Sequence, residues 1–417
     1  MHISRHQAAC GLPLLLLLLV KSSPATTLDE ALIAAEHYSA ELSANSHQRD
    51  ALENLADSAL QLPDPKVKFG IENVPVAGNN HGRLTREAMT MQRIGFMQEY
   101  VSLTRRERKA DAIRADARRT ASNAAVIRAR LQRETARAWL ALALAEKTLK
   151  SVQHIISETT RQTGAQIASV ASGSASADSV LELKLALNAM KNEEDNARRD
   201  VQLAQEKLWQ LTGEKIHKIS GSLPPISQLP TDETTLINAV KQHPEILQAR
   251  RDADLALAKS AQSAVAAIPN VGVEVYYAHR ADRLDDMVGI MFSVDLPLLQ
   301  GRRQDKDHAA DVSRTHEAGD RLTQLIREHQ SQVNSLIFDY NAAKSRYQRQ
   351  QNDVLPLLQQ RIDLLNAQYR SGTSTLSQLL AARRAWLDGQ LARDNAEKIL
   401  ADAWTALRYL VPQDVIQ

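Results

Sequence analysis

Asp178 and Glu182 stand one helical turn apart in the stretch Gly173-Ser-Ala-Ser-Ala-Asp178-Ser-Val-Leu-Glu182, a spacing that lets two carboxylates share one face of a helix. Acids so placed can gather cations at a narrow opening. They can equally cap and charge a helix N-terminus, and the sequence leaves both readings open. The 12 histidines are potential metal ligands, but they are scattered, and no His-x-x-x-His or His/Cys group has ligand spacing. His81 and His279 fall in polar loops, so no metal site is assigned. No phosphate-binding glycine loop, nucleophile elbow or catalytic His-acid pair stands in a recognisable motif. The reading is therefore of a chain that is not an enzyme, with no catalytic residue and no cofactor. Trp139, Trp209, Trp386 and Trp404 read as packing residues.

The elements that hold these residues begin with a leader. Arg5 and His6 precede an apolar run from Leu12 to Val20, and small residues follow through Ser23 and Ala25, the layout of a signal peptide over residues 1–25. The run is shorter than the roughly 20 apolar residues that span a bilayer, and no later stretch reaches that length. Cys10, the single cysteine, precedes the apolar run and would leave with the leader, so no disulfide or thiolate chemistry is expected. Loss of Arg5 and Lys21 would bring the formal charge of +2 to about zero, which argues against nucleic acid as a partner. Aromatic residues make up 4% of the chain, and Gly and Pro are few, the profile of long helices.

An internal repeat organises the rest. At an offset of about 204 residues Leu32, Ile33 and Ala35 meet Leu236, Ile237 and Ala239, and Val67, Phe69 and Ile71 meet Val271, Val273 and Val275. At about 196, Ile94 and Phe96 meet Ile290 and Phe292; at about 199, Gly173 and Leu208 meet Gly372 and Leu407. The reading is a first repeat over 26–212, a Pro-rich connection over 213–233, either ordered against the helices or a flexible linker, and a second repeat over 234–417.

Each repeat predicts one short helix (Leu28 to Leu60; Thr234 to Ala266), two strands and a long helical hairpin. Strands are expected at about 66–74 and 89–101, then 270–278 and 286–297, from alternating apolar and polar residues. Hairpins are expected at about 105–211 and 302–410, with helices on the order of 90 Å long. The run Arg105-Arg-Glu-Arg-Lys109 reads as a solvated helix start. Val67, Phe69, Ile71, Ile94, Phe96, Val271, Val273, Val275, Ile290 and Phe292 would form a face for lipid, opposite Lys66, Lys68, Glu72 and Glu274. The strands approach the roughly 9–11 residues that cross hydrocarbon at a tilt. An ordinary antiparallel sheet over a core would show the same alternation. In a membrane every backbone group needs a partner and a sheet must close. Four strands cannot close, since small barrels use about eight, so crossing strands require copies that pool them.

Signal, short helix, strand pair and long hairpin, twice over, resemble the TolC-like outer-membrane efflux proteins across essentially the whole mature chain. Pro63-Asp-Pro-Lys-Val-Lys-Phe-Gly-Ile-Glu-Asn-Val-Pro75 and Met89-Thr-Met-Gln-Arg-Ile-Gly-Phe-Met-Gln-Glu-Tyr100 are similar to the CzcC-like branch, which serves heavy-metal pumps of the resistance-nodulation-division (RND) type. The resemblance implies a mainly α fold with a β-barrel part: a homotrimer with one twelve-stranded barrel in the outer membrane of a Gram-negative bacterium, continuous with a periplasmic helical tunnel. It implies a periplasmic adaptor, an inner-membrane RND pump and outer-membrane lipid as partners, and a passive exit for heavy-metal cations. It further implies that the connection contributes to a belt around the tunnel. Some relatives carry acids at the second hairpin tip, where this sequence has Gln378 and Ala381, so Asp178, Glu182 and Gln378 are the candidate tip residues and Gly173 and Gly372 the tip turns. An exit duct for drugs, and a soluble periplasmic adaptor or coiled-coil scaffold, are the alternatives.

Overall fold

A computed structural model describes residues 26–172, 177–280 and 284–412. The expected leader with Cys10, and Gly173, lie outside the described residues.

The first expected helix is two. Leu28–Tyr38 forms α1, closed by a capping box in which the Glu30 amide donates to Thr27 Oγ1 at 3.3 Å and the Thr27 amide donates to Glu30 Oε2 at 2.7 Å. Ser39 then leaves helical backbone and caps α2 (Ala40–Ala59), its hydroxyl accepting from the Leu42 amide. In the second half α5 (Glu233–Ala239) passes through a 3-10 turn at Val240–Gln242 and restarts as α6 (Pro244–Ala264) with His243 as N-cap. Pro244 explains the restart: without an N–H it suits the first helical position and no interior one.

The strands β1 (Lys66–Glu72), β2 (Met91–Tyr100), β3 (Val271–His279) and β4 (Met287–Val294) form one antiparallel sheet in the order β1-β2-β3-β4. The central β2–β3 pairing joins the two halves of the chain. From the sheet run the long helices α3 (Leu103–Ala171), α4 (Ala177–Thr212), α7 (Gln304–Arg349), α8 (Leu355–Arg370) and α9 (Leu376–Arg408). The 69 residues of α3 reach about 100 Å. Where one helix was expected over the first arm of the second hairpin, a π turn at Gln350–Val354 separates α7 from α8. It lies just before Pro356, which has no N–H to offer the carbonyl four residues back.

The main core sits where these helices cross the start of the chain. Trp139, Leu142, Leu208, Ile246, Tyr340 and Leu400 are buried together. Trp139 Nε1 donates to the Thr26 carbonyl at 3.1 Å, and Tyr340 Oη donates to the Ile226 carbonyl at 3.0 Å. Those bonds bind the connection between the halves: Ile216 and Ile226 are in the same core, and Ile219 bridges Thr26 in parallel. The connection is thus ordered against the helices. Of the tryptophans, Trp209 departs from the packing reading and stands exposed under Lys215.

Among the described residues no helix is long and apolar enough to cross a membrane. The molecule is far from compact: its surface is 26366 Å², against about 16,000 Å² for a compact monomer of its 46.2 kDa mass.

Candidate functional site: a two-faced sheet and its helical tips

Register sorts the strand residues onto two faces. Val67 opposes Phe96, Phe69 opposes Ile94, Phe96 opposes Val275, and Val275 opposes Ile290. Ile71, Val273, Phe292 and Val271 complete the same face at alternate positions. All ten residues expected to face lipid therefore share one side. Phe69 is 78% exposed and Phe292 is 70% exposed, and no other element covers them. Such a continuous apolar face marks contact with lipid or another protein.

The opposite face is polar and internally paired. Glu274, 5% exposed, accepts from Lys68 Nζ and from Arg93 Nη2 at 2.7 Å each. Arg93 also donates to Glu72 at 2.8 Å and lies 3.6 Å above the Tyr276 ring. Glycines make the space. A Cβ on Gly95 would stand 2.8 Å from Glu274 Oε1, and one on Gly289 would overlap the Tyr276 ring. Sequence alternation placed Lys68, Glu72 and Glu274 on this face, but Arg93 as their common partner became visible only in the register.

The passage from sheet to helix is bound more tightly than a solvated start. Arg105 donates to the Ile268 carbonyl and to Asn270 Oδ1, and Arg106 donates to the carbonyls of Val101 and Leu60. These two arginines supply donors to carbonyls just outside the strands and at the end of α2, which corrects the sequence reading for Arg105 and Arg106, while Glu107, Arg108 and Lys109 stand exposed.

At the far end lie the hairpin tips. The second is built by two standard devices. Gly372, at φ 75°, follows α8; its amide donates to the Tyr369 carbonyl and that of Thr373 to the Gln368 carbonyl, a Schellman closure. Gln378 then closes a capping box with Thr375, with bonds of 3.1 and 3.3 Å. In the first tip Asp178 is in the opening turn of α4 and exposed, while Glu182 is half-buried one turn on. Both flank the stripe of Ser179, Leu183 and Met190 that packs inside the hairpin.

The fold also gathers a group that spacing did not reveal. His243, Glu245 and His329 each bring one potential ligand atom within 4.8 Å of the others. His329 Nε2 lies 3.0 Å from Glu245 Oε2, and the two imidazoles are 4.0 Å apart, tilted by 32°. Burial, with the adjacent His329, lowers the His243 pKa to about 4; Glu245 opposes the shift and Arg133 adds to it. The partners are 84 residues apart on different helices, so no local motif announces them.

No protein-family model matches the sequence, and no curated protein matches it. Solved structures do. CusC, whose structures concern folding and transmembrane channel formation, superposes with a TM-score of 0.75 at 14% identity, over 93% of this chain and 92% of that one. The outer membrane protein VceC of Vibrio cholerae gives 0.70 at 15%, over 92% and 95%. The CmeC outer membrane channel of Campylobacter jejuni gives 0.71 at 13%, over 93% and 86%. At these identities the likeness speaks for architecture: the chain has the TolC-like fold of outer-membrane efflux channels.

Proposed function

We propose that this chain is one protomer of a homotrimeric, passive exit duct in the outer membrane of a Gram-negative cell. The observation that carries the reading is the four-stranded sheet, apolar over most of one face and internally ion-paired on the other, with β1 and β4 as its edges. Edge strands present unpaired donors and acceptors, which lipid cannot satisfy. Joining β4 of one copy to β1 of the next removes those edges, and three copies close a twelve-stranded barrel with lipid outside and the Glu274 network inside. The helices, with exposed Leu181, Leu185, Leu357, Leu364 and Phe338, extend this wall as a periplasmic tunnel. Its tips meet a periplasmic adaptor and an inner-membrane RND pump. Heavy-metal cations are the cargo class, on the similarity of the Pro63–Pro75 and Met89–Tyr100 stretches to the CzcC-like branch. Asp178 and Glu182 from three copies would place carboxylates at the mouth, while Gln378 closes its own helix start.

Membrane fractionation tests the duct. The protein is expected to remain with outer membranes through alkaline extraction and to migrate as an oligomer that heating dissociates. A water-soluble monomer would overturn the reading. Deleting the gene tests the cargo: sensitivity to cobalt, zinc, cadmium, nickel, copper or silver is expected to rise, and sensitisation to drugs alone would reject the metal assignment.

A further inference from the structure

Most polar clusters in this molecule close on themselves. Glu274 takes Lys68 and Arg93, and Glu397 takes Lys147 with bonds of 2.7 and 2.8 Å. The group at the joint of α5, α6 and α7 does not close. His329 Nε2 lies 3.0 Å from Glu245 Oε2, so an ion shared with that carboxylate would take the Nε2 lone pair and leave the ring hydrogen on Nδ1. His329 is 5% exposed, and its Nδ1 meets no hydrogen-bond partner among the described residues. His243 Nδ1 spends its lone pair on the Glu245 amide over a long 3.3 Å, a weak cap bond that an ion would displace. With Nδ1 unpartnered, the buried His329 ring is hydrogen-bonded from one side only, by Glu245.

The first repeat shows what the same place requires. Glu41 is the second residue after the N-cap Ser39 of α2, as Glu245 is the second after the N-cap His243 of α6. Glu41 pairs with Arg130 of α3. The offset of about 199 that aligns the hairpins sets Arg130 on His329. In the first repeat a guanidinium brings a fixed positive charge to the glutamate. In the second, imidazoles replace both the serine cap and the arginine, and neither carries a fixed charge.

We propose that His243, Glu245 and His329 bind one divalent transition-metal cation of the zinc and cobalt class per chain, in the position that an arginine fills in the first repeat. Two imidazoles and one carboxylate suit such ions better than magnesium or calcium, which prefer all-oxygen shells. Three protein ligands leave a further position for water. Ligand atoms that now lie within 4.8 Å of one another, with His329 Nε2 and Glu245 Oε2 at 3.0 Å, would settle near about 3.3 Å, the edge of a tetrahedron with bonds of roughly 2.0–2.1 Å. The bound ion would tie the start of α6 to α7 at the edge of the main core, beside Val240 and Ile246. Arg133 on α3 acts against a positive charge at His243, so the neighbourhood moderates the affinity. The site stands independently of the duct reading and of any cargo.

The test uses the tag-free, full-length purified protein titrated with Co2+ and followed by visible absorption, with Zn2+ as competitor. The expected result is saturable uptake of one ion per chain, with ligand-field bands of imidazole-bound cobalt that zinc abolishes. His243→Gln and His329→Gln should each weaken uptake at least about tenfold, since even outer-shell changes at metal sites cost that much. His329→Arg copies the first repeat; it should fold, with a melting temperature no longer raised by Zn2+, and take up no cobalt. His243→Gln, which keeps a neutral cap, reads the same loss independently of that substitution. Absence of saturable uptake by the wild-type chain, or wild-type uptake in the His243→Gln/His329→Gln double variant, would overturn the assignment.

Discussion

Asp394, inside the bundle of α3 and α9, accepts from Thr148 Oγ1 at 2.8 Å, and Arg393 Nε stands 2.7 Å from its Oδ1 but off the N–H axis, so that contact is ionic. Burial raises the Asp394 pKa, Glu397 adds to the rise, and Thr148, Arg393 and Lys147 oppose it without cancelling it. The folded chain therefore holds more protons than the unfolded chain in the window just above the ordinary aspartate value of 3.8. Stability falls as pH rises through that window. Asp394→Asn keeps an acceptor for Thr148 and removes the buried charge. Its melting temperature should exceed that of the wild type at pH 7, and the difference should shrink as pH falls below 3.8. A difference that ignored pH would locate its cause elsewhere. This residue, like Arg93 and the His243–Glu245–His329 group, was not legible in the sequence, because each meaning depends on a partner brought in by another helix or strand. Arg105 and Arg106 failed for the same reason: a run of charge looks solvated until the carbonyls it covers are in place.

Elements were more legible than contacts, because periodicity is local. The alternation in Val67, Phe69 and Ile71 announces a two-faced strand whatever its neighbours do, and the register bears that out. Helix interruptions were less visible: Ser39 stops one helix by capping the next, and Pro356 shifts a ladder into a π turn without ending the hairpin arm. The tips give two predictions. Gly372 holds φ at 75°, where a Cβ costs about 1–2 kcal/mol. Gly372→Ala should loosen the second tip by about that amount, read as faster amide exchange over 368–378 with the core near Tyr340 unchanged. Asp178 and Glu182 flank the packed stripe of α4 rather than joining it, which leaves them free to face the axis of the proposed trimer. Asp178→Asn with Glu182→Gln should reduce cation preference in single-channel recordings while leaving the oligomer intact. Unchanged preference would reduce the pair to a charged helix start.

At the scale of the molecule the argument rests on surface. A chain with 26366 Å² exposed, about 10,000 Å² beyond a compact monomer of its mass, is elongated, and Phe69, Val288 and Phe292 are among the large apolar residues it leaves exposed. The sequence repeat anticipated the arrangement, since two copies of one unit bring β2 beside β3, but nothing in the composition showed that β1 and β4 would remain as edges. The two sides of the sheet can be tested at one depth, because Phe292 and Ser293 are neighbours on β4 and point to opposite faces. If the Phe292 face meets lipid, Phe292→Lys places a charge in hydrocarbon at a cost of about 2–4 kcal/mol near the midplane, and the heat-sensitive oligomer should be lost from the outer membrane. Ser293→Lys puts the same charge toward water inside the barrel, beside the Glu274 network, and should assemble normally with altered conductance. A soluble sheet would tolerate both substitutions alike, because Phe292 would already stand in water. Equal effects at the two positions would therefore reject the barrel, and opposite effects would identify which side of the wall carries the flow.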